Sequence, residues 1–143
     1  MEKPIIRDTL FLGMKAPAFP GGAPGEDDLR TADDLRDTLS ANAERCVGLA
    51  ANMIGERRRI LVFDAGDGAG MTEMFDPVIL AKSGAYRTEE GCLSLDGVRS
   101  VTRYRKIKVR WTDRSGKQRL KTFEGFPAQI IQHETDHFEG ILI

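Results

Sequence analysis

The chain has only two histidines, His133 and His137, and they stand four residues apart with Glu134 beside the first. On a helix, positions i and i+4 share a face, so both imidazoles reach one metal ion. Glu134, about 100° further round, approaches a water at that ion without being a ligand. A Lewis acid, a polarised water and a carboxylate base are what a metal-assisted hydrolysis needs. Chance placement of both histidines at this spacing around a glutamate has a probability on the order of 10⁻³. A catalytic ion takes a third protein ligand and keeps an open position. Cys92 and any of the chain's many carboxylates are candidates for that ligand, and a free buried cysteine taken alone is more often a small hydrophobe.

The elements that must position these groups are readable in outline. A helix is expected over 126–138, with Pro127 tolerated in its first turn. On it Phe126, Ile130, His133 and His137 form one stripe, so the imidazoles point with the apolar side chains into the core, where they need polar partners or a metal. Ile107, Val109 and Trp111 alternate with Lys106, Lys108 and Arg110, the period of a half-buried strand. The turn 113–116 then leads to a partner strand over 118–123. Residues 59–64 read as a strand, and 74–82 as another with Pro77 at an edge or bulge. Between the glycines of Cys46–Gly55 runs an apolar stretch of small residues. Leu29, Ala32, Leu35 and Leu39 mark an amphipathic helix from Asp28 to about Ala43. Residues 1–27, rich in proline and glycine, are expected to be an irregular strap anchored by Ile5, Ile6 and Leu10–Leu12. The resulting class is α+β, with mainly antiparallel strands around a central metal-binding helix.

Size and charge narrow the function. At 143 residues, one domain over 1–143 is expected. Twenty-one basic against 22 acidic residues leave a net charge of −1, which argues against a general nucleic-acid binder. No apolar run approaches the length of a membrane span, and the start lacks the apolar stretch of a secretory signal. Two cysteines are too few for a disulfide scaffold. A cytoplasmic location with no membrane partner is the expectation.

Three segments taken together resemble the peptide deformylase family: CVGLAANMIG (46–55), EGCLS (90–94) and QHETDH (132–137). Their order and separations fit, as do the arm over 5–18 and the strand FDPVI (75–79), so the resemblance covers nearly the whole chain. It implies a hydrolase that removes the N-formyl group from N-formylmethionyl peptides. It also implies one divalent ion held by Cys92, His133 and His137, ferrous iron natively in many members, with Zn²⁺, Ni²⁺ and Co²⁺ compatible with the same donors. Glu134 is then the general base, and the backbone N–H of Leu93 donates to the oxyanion. Substrate pairs as an added strand with the backbone around Gly48. Arg99 matches an arginine near the substrate mouth, or is simply a solvated surface group. Glu90 is expected to pair with Arg103 and hold the Cys92 loop. Asp136 either orients a ligand imidazole or serves as a cap or solvated carboxylate. Proximity to the ribosome is the partner the resemblance adds.

The first segment departs from the family pattern. Cys46 stands where a glycine is usual, and Met53 stands where the family places a glutamine that donates to the oxyanion. A thioether cannot donate, and losing one such donor costs about 10²–10³ in rate. Asn52 is a substitute only if the loop is shifted. The alternative reading is therefore a catalytically weakened protein that binds peptides or acts on another acylated amine. Cys46 is expected to be a small buried residue rather than a disulfide partner of Cys92. Six residues follow His137, where many members continue into a further helix, and Ile141–Ile143 are expected to bury as a short tail.

Overall fold

The computed structural model describes residues 1–19 and 21–141. In chain order the elements are α1 (Thr9–Leu12), α2 (Glu26–Ala41), β1 (Gly48–Ala50), a 3₁₀ turn (Ala51–Ile54), β2 (Ile60–Phe63), β3 (Thr72–Cys92), β4 (Leu95–Thr112), β5 (Gln118–Glu124) and α3 (Phe126–Phe138). The strands form one antiparallel sheet in sequential order, β1-β2-β3-β4-β5. The architecture is α+β, an antiparallel sheet with few helices.

Side chains alternate faces along a strand, so a strand buried at every residue must be covered on both sides. β1 and β2 are buried throughout, and both α2 and α3 pack against them. Further along the sheet only one face is covered: Ile107, Val109 and Trp111 are buried while Lys106, Lys108 and Arg110 face solvent. One hydrophobic cluster joins Leu35 and Leu39 of α2, the β1–β2 residues, Phe75 of β3, and Ile130, Ile131 and Phe138 of α3. Among the described residues no helix is long and apolar enough to cross a membrane.

Several sequence expectations are corrected. The strap contains a helical turn, α1, whose N-terminus is capped by Asp8 Oδ1 accepting from the Leu10 N–H at 3.0 Å. Within it Leu12 is fully buried and anchors the arm, whereas Leu10 is 82% exposed. α2 starts two residues earlier than expected, with Glu26, Asp27 and Asp28 in its first turn, where the helix dipole favours negative charge. β3 runs ten residues beyond Lys82, through a stretch whose exposed residues carry no alternation signal. Pro77 lies at a register shift between Phe75 and Val78, beside Asp76 with φ of +51°. Ile141 is 47% exposed rather than buried, and Leu142 and Ile143 lie outside the described residues.

Candidate metal centre and peptide cleft

α3 ends where the sheet's longest hairpin turns. Cys92 closes β3, Leu93 and Ser94 make a two-residue turn, and Leu95 opens β4 opposite Cys92. The one-turn spacing on α3 sets His137 Nε2 3.2 Å from His133 Nε2, and Cys92 Sγ lies 3.6 Å from His137 Nε2. One ligand atom from each of the three residues lies within 4.8 Å of the other two. In a tetrahedral site with ordinary bond lengths, two nitrogens stand about 3.3 Å apart and a nitrogen and a sulfur about 3.6 Å. The spacing therefore fits an ion between these three atoms.

The surrounding charge fits one too. Glu90 is buried and accepts from Arg103 through both carboxylate oxygens, at 2.7–3.2 Å, and from Gln129 Nε2 at 2.9 Å. Its Oε1 also lies 2.8 Å from His133 Nδ1, which turns Nε2 of that ring toward Cys92 and His137. Burial opposes ionisation of Glu90, yet the bonds from His133, Arg103 and Gln129 outweigh it and hold the carboxyl down at about 2. Burial likewise works against a charged His133, but Cys92, Glu134 and Glu90 together lift it to about 10. Burial and the neighbouring His133 push His137 down to about 3. A pocket that holds positive charge on one imidazole and keeps the other neutral is poised to exchange that proton for a metal cation.

Glu134 is buried at 4% exposure, and its Oε1 lies 4.0 Å from His137 Nε2 with no hydrogen-bond partner among the described residues. An ionisable group left unpaired at that depth is costly and calls for a bound partner. Burial, with Glu90 nearby, lifts its carboxyl to about 7. Gly48 closes the opposite side. A Cβ there would stand 2.8 Å from Ile130 Cγ2 and 2.9 Å from Glu134 Oε2, so only glycine lets β1 approach the carboxylate this closely. Among the described residues β1 is the sheet's terminal strand and pairs with β2 alone.

These groups open into a cleft of about 490 Å³ whose walls include Gly48, Met53, Cys92, Leu93, His133 and Glu134. Met53 is 1% exposed and sits on the 3₁₀ turn rather than on a strand. Asn52 does not replace it as a donor: its Nδ2 is committed to the His137 carbonyl at 3.1 Å. Cys46 is half-buried, donates to the Gly48 carbonyl, and has its thiol pushed up to about 12, chiefly by burial. Both cysteines are free. Phe126 lines the cleft but is 48% exposed, so the helix stripe reaches the core only from Ile130 onward. Arg99 is exposed, contacts the Asp96 carbonyl and is not among the cleft-lining residues. Asp136 touches neither imidazole: its Oδ2 accepts from Arg103 at 2.7 Å, bracing the arginine that braces Glu90. The contact of Glu90 with His133 spans 43 residues and escapes sequence reasoning. Gln129, one helical turn before His133, is a polar residue on the pocket-facing stripe, and that was its signal.

Fold and cluster together define the class, an α+β protein with a Cys/His cluster suited to a metal ion. Residues 14–143 match the model of the polypeptide deformylase family. A peptide deformylase of Clostridium beijerinckii is 52% identical over 143 residues, the full length of both chains. Peptide deformylase 1 of Clostridium perfringens is 43% identical over 123 residues, 79% of this chain and 84% of its own. An actinonin-bound class I type b peptide deformylase from Acinetobacter baumannii superposes with a TM-score of 0.86 at 29% identity, covering 99% of this chain and 95% of that one. The chain belongs to the polypeptide deformylase family, whose members are metalloenzymes.

Proposed function

We propose that residues 1–143 act as one deformylase domain that hydrolyses the N-formyl group of N-formylmethionyl peptides. The observation that carries this reading is the buried, partnerless Glu134 Oε1 lying 4.0 Å from His137 Nε2, beside the Cys92/His133/His137 cluster. A divalent ion held by Cys92 Sγ and the two Nε2 atoms, Fe²⁺ by preference and Zn²⁺, Ni²⁺ or Co²⁺ by the same donor chemistry, supplies Lewis acidity and an acidified water.

Glu134 Oε1 accepts the proton that water gives up as it attacks the formyl carbon. The same oxygen returns the proton to the amine nitrogen as the C–N bond breaks, leaving formate and a free amino terminus. The Leu93 N–H donates to the oxyanion of the tetrahedral intermediate. The open edge of β1 at Gly48 receives the peptide backbone as an added strand, in a cleft whose rim includes the exposed Val47 and Phe126. Arg99 lies outside this cleft, and a role at the substrate mouth requires its side chain to swing inward. A substrate of this kind is a newly made amino terminus, which argues for action in the cytoplasm near the ribosome.

One observation favours the weaker alternative, a peptide binder or a hydrolase of another acylated amine: Met53 occupies the cleft wall with nothing to donate. The full-length relation to a peptide deformylase at 52% identity favours deformylation. Formate release from a formyl-methionyl peptide by anaerobically prepared, Fe²⁺-loaded protein tests it. Multiple turnovers, lost in Glu134→Ala with the metal retained, are expected. No release from metal-replete protein overturns the reading.

A further inference from the structure

Two consecutive residues of the N-terminal arm tie together the loops that face each other across the cleft. The Ile6 N–H donates to the Met53 carbonyl at 2.8 Å, on the 3₁₀-turn side. Arg7 reaches the other side: Nη1 donates to the Leu93 carbonyl at 3.1 Å and Nη2 to Asp96 Oδ1 at 2.6 Å. The guanidinium thus spans the turn from the residue after Cys92 to the first turn of β4. A planar, forked donor that holds two acceptors restricts their relative motion more than a single contact does. Holding the Leu93 carbonyl restricts rotation about that residue, which lines the cleft beside Cys92.

We propose that Arg7 is a positioning residue for the reaction, an arm-borne brace that holds the Cys92–Asp96 turn so that the Leu93 N–H and the Cys92 thiolate keep their aim. The assignment of the Leu93 N–H to the oxyanion rests on the deformylase reading; the brace itself rests on the two hydrogen bonds. Precision at this turn matters more here than where a side chain shares the task, because Met53 across the cleft offers no second donor. The ion pair contributes little to global stability: the Arg7 and Asp96 side chains are 54% and 94% exposed. Its effect is local, and that separates positioning from folding.

The test compares metal-replete wild type, Arg7→Ala and Arg7→Lys by formate release, thermal melting and amide hydrogen exchange. In Arg7→Ala, kcat falls about tenfold while KM stays within about twofold, the pattern of a lost transition-state contact. The melting temperature is unchanged, and the amide of Leu95, paired with Cys92 across the turn, exchanges about tenfold faster. Arg7→Lys, which keeps one donor at a time, recovers part of both effects. Unchanged exchange at Leu95 in Arg7→Ala overturns the brace, as does an active wild type whose kcat the substitution leaves alone. Should wild type release no formate, the deformylase reading falls, and exchange at Leu95 still decides whether Arg7 holds the turn.

Discussion

The two walls of the cleft are built to different standards. On the α3 and β3–β4 wall, a chain of partnered charges backs the Cys92/His133/His137 cluster, while Glu134 Oε1 is left without a hydrogen-bond partner among the described residues. Asp136 holds Arg103, Arg103 holds Glu90, and Glu90 holds His133, with Gln129 adding a further bond to Glu90. On the β1 and 3₁₀-turn wall there is close packing and little polarity. Gly48 presses against Glu134, Met53 is sealed under the cleft surface, and Cys46 spends its S–H on the Gly48 carbonyl. In the proposed mechanism the first wall fixes an ion and its ligands. The second shapes access and, in the same mechanism, leaves the oxyanion with the Leu93 backbone as its donor. Metal affinity and turnover are therefore separable properties of this protein.

The largest expected effect tests whether the two walls meet at Glu134. Glu134→Gln lowers formate release about 10³-fold, the scale of a lost general base, while metal content stays at one ion per chain. Loss of the ion in that variant contradicts its role as base. Next, Met53→Gln supplies the donor the second wall lacks and raises kcat up to about 10²-fold without altering metal affinity. An unchanged kcat means the Leu93 N–H already suffices. On the first wall, Glu90→Gln weakens metal binding about 10–100-fold, because the imidazole loses its orienting carboxylate. It also leaves the buried Arg103 with Asp136 as its remaining carboxylate partner, at a cost of about 1–3 kcal/mol read from denaturant melts. Affinity unchanged in that variant breaks the proposed asymmetry. The smallest effect is that of Gly48→Ala, whose Cβ must displace Ile130 and Glu134 at a cost of about 1–3 kcal/mol. It is read as a lower melting temperature and a raised KM, and a neutral outcome means β1 has room to retreat.

What was legible in the sequence follows local periodicity. α3 has the bounds its apolar stripe and Pro127 announce, and the hairpin of β4 and β5 follows from alternation and a turn. The Glu90–Arg103 pair was also anticipated and is present. The remainder depends on contacts no local window contains. β3 is exposed at every residue over 80–85, so its strand character there comes from pairing with β4 rather than from burial. α1 is a single capped turn, too short for a period to register. Asp136 lies one residue from His137 in the chain, yet its acceptor lies toward Arg103 and away from the imidazoles. The 3₁₀ conformation of Ala51–Ile54 leaves no local period to read, and it directs the Asn52 amide to the His137 carbonyl.

Substitution of the cation by Co²⁺ tests the central claim most directly, since a thiolate ligand gives that ion a charge-transfer absorption and an N/O-only site does not. The account predicts one Co²⁺ per chain with the thiolate band present in wild type, absent in Cys92→Ser and unaffected by Cys46→Ser. A wild-type protein without the band, or a band that survives in Cys92→Ser, contradicts the assignment of Cys92, His133 and His137 as the metal site.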